Sequence, residues 1–231
     1  MTPVIRIPDA LFRRLQKHGE PLVDSPASVI ARVLDAFEGK NEEDEAMAAD
    51  ELPPAEPGQP TRPKLFLTPA SGENLRATIQ QTVPLAAAAQ HLTEPQTAAL
   101  KEALGGERDF HCWAMTEKRK TFFAAMAPGD IVLLTEKGTG KFTWFGVVVA
   151  KVVSEALGKA LWDEVPGLPW KLIYVLSDVR HIAADKDKLV SELGFKKGYW
   201  VPGVLQVRPR KFADALERHG TIDGLLRACS E

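Results

Sequence analysis

The sequence predicts an α+β protein built from a small strand-helix-helix module, an acidic tether, and a mixed β-barrel with helices packed on its outside. Three observations carry this expectation. Residues 39–64 crowd Glu42, Glu43, Asp44 and Glu45 ahead of Pro53, Pro54, Pro57, Pro60 and Pro63, the composition of a self-repelling, disordered linker. Before this break, apolar residues recur at helical spacing. After it come short runs rich in aromatic and β-branched residues, separated by turns.

Taken in order, VIRIP alternates as a short strand, and Asp9 starts a helix carrying Leu11, Phe12 and Leu15. After a turn over 19–24, Ser25 supplies an N-cap and Pro26 suits the first helical position, ahead of an apolar stripe of Val29, Ile30, Val33, Leu34 and Phe37. A unit of under about 40 residues seldom buries enough surface to fold alone. Residues 1–38 are therefore expected to form a homodimer, with two strands paired across a two-fold axis. The folded remainder is expected over 65–231. It opens with LFLTPASGENLRATI, where Ser71 or Asn74 can cap a helix carrying Leu75 and Ile79, and a second helix follows over 94–104. FHCWAM, DIVLLTE, KFTWFGVVVAKVV, WKLIYVLSDV and VLQVRP are the strands.

The stretch EKGTGK invites a phosphate-loop reading, and two positions refuse it. Thr135 stands where such a loop needs its first glycine, and Phe142 follows Lys141 where a Ser or Thr would reach magnesium. The segment after it reads as a strand, so EKGTGK is expected to be a glycine-bearing hairpin turn.

Composition bounds the function. The chain has 231 residues, 45% hydrophobic and 26% charged, ordinary values for a globular protein. No apolar run approaches the ~20 residues that span a bilayer, and MTPVIRIPD lacks a signal-peptide pattern, which predicts a cytoplasmic protein with no membrane partner. Cys112 and Cys229 lie far apart, and the five histidines form no pair at metal-ligand spacing. No metal, cofactor or catalytic residue is expected. His111 and Cys112 are adjacent on a strand and so point to opposite faces, which argues against a thiol dyad. The net charge of −2 averages over an acidic tether and a mildly basic remainder. That remainder carries Lys118, Arg119 and Lys120, and later Arg208, Arg210 and Lys211, candidates for phosphate contacts or a solvated face.

The tryptophans are the most informative set. Four of the five, Trp113, Trp144, Trp162 and Trp170, fall at strand edges or beside the loop DEVPGLP rather than at helical spacing. Each alone is accounted for by core packing. Together they suit a protein that flips a base and holds it between aromatic faces. Flipping costs a few kcal/mol, and stacking returns roughly 1–3 kcal/mol per ring, so two or three rings are needed. A buried methyl group adds only about 0.8 kcal/mol. Selectivity for a methylated base must therefore also use hydrogen bonds and a fitted wall.

Two resemblances sharpen these expectations. The stretch IRIPDALFRRLQKHGEPLVDSPASVIARVLDAF resembles the N-terminal oligomerisation module of the SeqA family and, more loosely, the ribbon-helix-helix repressors. Over roughly 108–218, HCWAMT, the GDIVLL and GKFTWFGVVVAKV pair, and LWDEVPGLPWKLIYVLSDVRHI resemble the PUA-like superfamily, in particular its EVE and YTH branches. Those branches include modified-base readers, some serving McrB-type restriction enzymes. The resemblance implies a PUA-like barrel, a cage containing Trp113 with Trp162 and Trp170, and double-stranded DNA carrying a modified base as partner. Cleavage would then need a separate nuclease. Two other functions stay open: a ribbon-helix-helix repressor with a C-terminal sensor, and a reader of modified RNA. N6-methyladenine, 5-methylcytosine and 5-hydroxymethylcytosine all stay open as the base.

Overall fold

The computed structural model describes Ile30 and residues 62–162, 169–196, 199, 201 and 203–230. Apart from Ile30, these lie in one compact unit, Glu51–Glu231. The expected strand-helix-helix module, and the tether up to residue 61, fall outside the described residues. Lys64, assigned to the tether from sequence, is tied into the fold. Its N–H donates to Asp130 at 2.9 Å, and its carbonyl accepts from Ile131 N–H at 2.8 Å.

Seven strands form one mixed sheet: β1 (Leu65–Ala70), β2 (Val83–Pro84), β3 (Asp109–Thr116), β4 (Ile131–Glu136), β5 (Lys141–Val153), β6 (Trp170–Asp185) and β7 (Leu205–Gln206). Their order is β2-β3-β6-β5-β4-β1-β7. Only β1 and β4 run parallel. The α+β architecture with flanking helices agrees with the sequence, but among the described residues the ladder is open rather than closed on itself. The strands at its two ends, β2 and β7, have two residues each, too short to carry the pairing round. VLQVRP contributes only Leu205 and Gln206 because Pro209 already opens a helix. EKGTGK does make the β4–β5 turn, with Gly138 at φ 88° and Gly140 at φ 66°.

The sheet nevertheless curls. Tyr174 on β6 and Thr68 on β1 are separated in the sheet by β5 and β4, about 14 Å in a flat sheet. Their hydroxyls face one another, although the contact falls short of a well-formed hydrogen bond. On that inner face Phe66, Val132, Leu134, Val148, Tyr174, Leu176, Trp113 and Met115 form one apolar cluster. It is closed by Leu75 and Ile79, from α1 (Gly72–Leu75) and the π-turn after it, and by Phe123 of α4 (Lys120–Ala125).

The outer face carries two clusters. Over one half pack α2 (Leu85–Ala88), α3 (Glu94–Ala103) and α5 (Glu155–Leu161), through Leu85, Ala88, Leu100 and Leu157 against Ile173 and Val175. Over the other pack α6 (Lys186–Glu192), α7 (Pro209–His219) and α8 (Ile222–Ala228), through Leu189, Phe212 and Leu225 against Leu65, Leu133 and Phe145. Helix α3 starts where the sequence expects, behind a capping box of Thr93 and Gln96. Gln96 also donates to the Val153 carbonyl at 2.9 Å, pinning α3 to the end of β5.

Asp130 fixes the turn into β4. It is 4% exposed, and its carboxylate accepts from Lys64 N–H at 2.9 Å and Ala127 N–H at 2.8 Å. Asp130→Ala leaves two backbone donors without that partner and is expected to cost about 2 kcal/mol. Urea unfolding of the full chain, at an unchanged slope, would measure it.

Candidate functional site

Trp113 lies on β3 opposite Tyr174, and Ala114 follows it opposite Ile173. On its other side β3 is paired, among the described residues, with β2 only at Asp109 and Phe110, so Trp113 and Ala114 lie beyond that pairing. Trp162 caps the C-terminus of α5, its N–H donating to the Gly158 carbonyl at 3.0 Å. Trp170 is the first residue of β6 and pairs with Thr116 at the end of β3. Asn74, on α1, completes the set, its backbone N–H held by the Ser71 hydroxyl at 3.3 Å. These five residues line one closed pocket.

Gly158 sets the geometry. A Cβ there would stand 1.8 Å from the Trp170 carbonyl oxygen, so only glycine lets α5 sit on β6 and carry Trp162 to Trp113. The Trp113 and Trp162 rings meet edge to face, centroids 6.3 Å apart at 71°. They are 4% and 5% exposed and belong to the core as much as to the pocket, whereas Trp170 is half-buried. The walls meet too closely to admit a water molecule. A flat ring can enter only if they part.

Three of the four tryptophans singled out from sequence thus share a pocket, and Trp144 does not join them. It pairs with His181 on β6, rings edge to face at 5.3 Å. From Tyr174 to His181 the strand runs about 23 Å at ~3.3 Å per residue. Strand alternation leaves Trp144 half-buried at the margin of the inner cluster while Phe145 is buried in the outer one. Asn74 was missed as a lining residue because SGEN also reads as a helix start. Its place beside β3 depends on tertiary packing.

The basic residues divide in the same way. Lys118 and Lys120 are exposed, and with half-buried Arg119 they follow β3 after Glu117. Arg119 packs on Gly203, where a Cβ would lie 2.6 Å from its Nη2, and its Cζ is 5.8 Å from the Phe122 ring centroid. The run is anchored through α4, whose last carbonyls receive two ammonium groups. Lys64 Nζ donates to Ala125 O at 2.6 Å, and Lys151 Nζ donates to Phe123 O at 2.7 Å and to Met126 O. Burial pushes the Lys151 pKa down, and nearby Asp130 opposes that shift. Arg208, Arg210 and Lys211 instead stand at the start of α7, where Lys211 Nζ lies 4.1 Å from the Phe195 ring centroid.

Cys112 is fully buried, and burial pushes its thiol pKa well above the ordinary value. Cys229 is pushed up to about 11, chiefly by burial. Neither offers a thiolate near neutral pH. Among the described residues no three His, Cys, Asp or Glu side chains gather as metal ligands, and no helix is long and apolar enough to cross a membrane.

The chain is similar to the N-terminal domain of Thermococcus gammatolerans McrB bound to m5C DNA, at a TM-score of 0.50 and 13% sequence identity. The match covers 67% of this chain and 96% of that one. That likeness is one of fold. No family model matches the sequence, and no curated protein matches it.

Proposed function

We propose that the domain following the tether binds DNA and recognises a modified base, taken out of the duplex into the pocket of Trp113, Trp162 and Trp170. The observation that carries this reading is the convergence of three tryptophans, from β3, the end of α5 and the start of β6, on one pocket with one amide side chain. Indole faces hold any base. An amide, which both donates and accepts, reads its edge, and Asn74 takes that role here. The similarity in fold to a McrB domain bound to m5C DNA supports the reading.

The closed pocket has a consequence for binding. A base held between two rings needs their planes roughly parallel, so Trp113 and Trp162 must leave their edge-to-face contact. Recognition is then an induced fit that adds the opening of the pocket to the cost of flipping. Residues 118–120, beside the pocket, hold the backbone and set the salt dependence. Dimerisation through residues 1–38 would add avidity by linking two such domains. The domain performs no chemistry of its own in this reading, and restriction would use a separate nuclease.

The test is a salt-controlled titration of the full chain against one duplex. A single position carries adenine, N6-methyladenine, cytosine, 5-methylcytosine or 5-hydroxymethylcytosine, with matched RNA as a further arm. Trp170→Ala is the variant of choice, since its half-buried ring can be removed at less cost to folding than Trp113. One modified duplex should bind more tightly than its unmodified counterpart. Trp170→Ala should weaken that binding by roughly 5- to 150-fold, the equivalent of about 1–3 kcal/mol of stacking. Equal binding of every duplex, unmoved by the variant, refutes the cage. If binding then disappears on deletion of residues 1–38, the repressor reading takes its place.

A further inference from the structure

Thr116 and Trp170 are paired across the sheet, and the residues that follow them, Glu117 and Lys171, form an ion pair beside the pocket with Oε2 to Nζ at 3.0 Å. Both side chains reach solvent, 53% and 30% exposed. Another acid near this lysine, Glu155, is occupied by Lys159 at 2.9 Å, so Glu117 is the group that holds the Lys171 ammonium. Glu117 also stands directly before Lys118, Arg119 and Lys120. A carboxylate among four cations opposes the approach of a polyanion, and in a surface that holds DNA it therefore needs an explanation.

Resting on the reader function proposed above, we infer that Lys171 is a site for one backbone phosphate of the DNA duplex, with the Glu117 carboxylate as its placeholder in the unbound protein. Exposed ion pairs of this kind are weak and screened by salt. A phosphate, anionic and rich in acceptor oxygens, displaces the carboxylate when the duplex is seated. The placeholder lowers affinity for the backbone of any sequence and so leaves the decision to the base in the pocket. Contacts to phosphate position a protein, whereas contacts to the base specify it.

The experiment titrates the full chain, Glu117→Gln, Lys171→Gln and the double variant against the same unmodified duplex across a salt series. In Glu117→Gln, affinity near about 0.1 M salt should rise roughly threefold to tenfold. Its plot of log K against log salt should steepen by up to about 0.9, because no freed carboxylate then takes up a cation to offset the counterion released at the Lys171 contact. Both gains should vanish in the double variant. Unchanged affinity and slope in Glu117→Gln would overturn the inference. A gain that survives Lys171→Gln would overturn it as well, because it would be the diffuse effect of removing one negative charge. The readout is backbone binding alone, so equal binding of modified and unmodified duplexes by the unaltered chain, which would refute the cage, is seen separately.

Discussion

Gly158→Ala should lower the melting temperature by roughly 5–10 °C and abolish any preference for a modified duplex. The sign is the informative part. In an exposed helix interior, exchanging glycine for alanine stabilises by about 1 kcal/mol, because glycine carries the larger backbone entropy cost. Here the new Cβ would meet the Trp170 carbonyl oxygen at 1.8 Å and its carbon at 2.8 Å. These are backbone atoms of β6 and cannot swing aside, so α5 must retreat. Overpacking of this kind costs about 1–3 kcal/mol or more, and each kcal/mol moves the melting point of a domain this size by about 2–4 °C. Retreat of α5 carries Trp162 away from Trp113, which is why the loss of stability and the loss of discrimination should arrive together. Calorimetry and the duplex titration on the same preparation check both. A variant that melts higher than the unaltered chain would show that α5 does not sit where the geometry places it.

What the sequence revealed and what it hid follow from the reach of the forces involved. β4, β5 and the turn between them were legible because runs of β-branched and aromatic residues and the paired glycines are local signals. The helix over 94–104 was legible as well, and a local capping box of Thr93 and Gln96 starts it. β1 was missed: LFLTPA is buried on both faces as β4 is, but it carries Pro69 and a single β-branched residue, Thr68, and so lacks the compositional signal that IVLLTE gives. β6 runs on to Asp185 through RHIAAD, a stretch of weak strand propensity that pairing with β5 holds in the ladder even though Asp178 turns to φ 47°. For the site, the tryptophans drew attention through their position at strand edges, and three of them share a pocket. Trp144 had the same local signature and stands elsewhere, because nothing within a strand tells which end of it meets the pocket. Asn74 and Gly158 owe their roles to elements distant in sequence, and no local pattern marks them.

Trp113 separates core from cage most sharply, through two substitutions with different expected outcomes. Trp113→Ala empties a position that is 4% exposed and packed among Tyr174, Met115 and Phe66, and should cost about 3–5 kcal/mol. A melting temperature lower by roughly 10 °C or more follows. Lost binding in that variant would prove little, since the domain is strained throughout. Trp113→Phe keeps an aromatic ring in the inner cluster while shrinking the face offered to a base, and its cost should be well under half that of alanine. A purely structural tryptophan predicts that Trp113→Phe lowers stability modestly and leaves the ratio of modified to unmodified binding untouched. A cage wall predicts the opposite weighting. The edge-to-face contact with Trp162 is worth about 0.5–1.5 kcal/mol in the closed pocket, and a base must better that with the stacking it gains. A smaller ring loosens the closed state and weakens the stack together, so association should quicken while the complex dissociates faster still. Stopped-flow binding would resolve the two rates, and a discrimination ratio that falls severalfold in a domain still folded would assign Trp113 to the base as well as to the core.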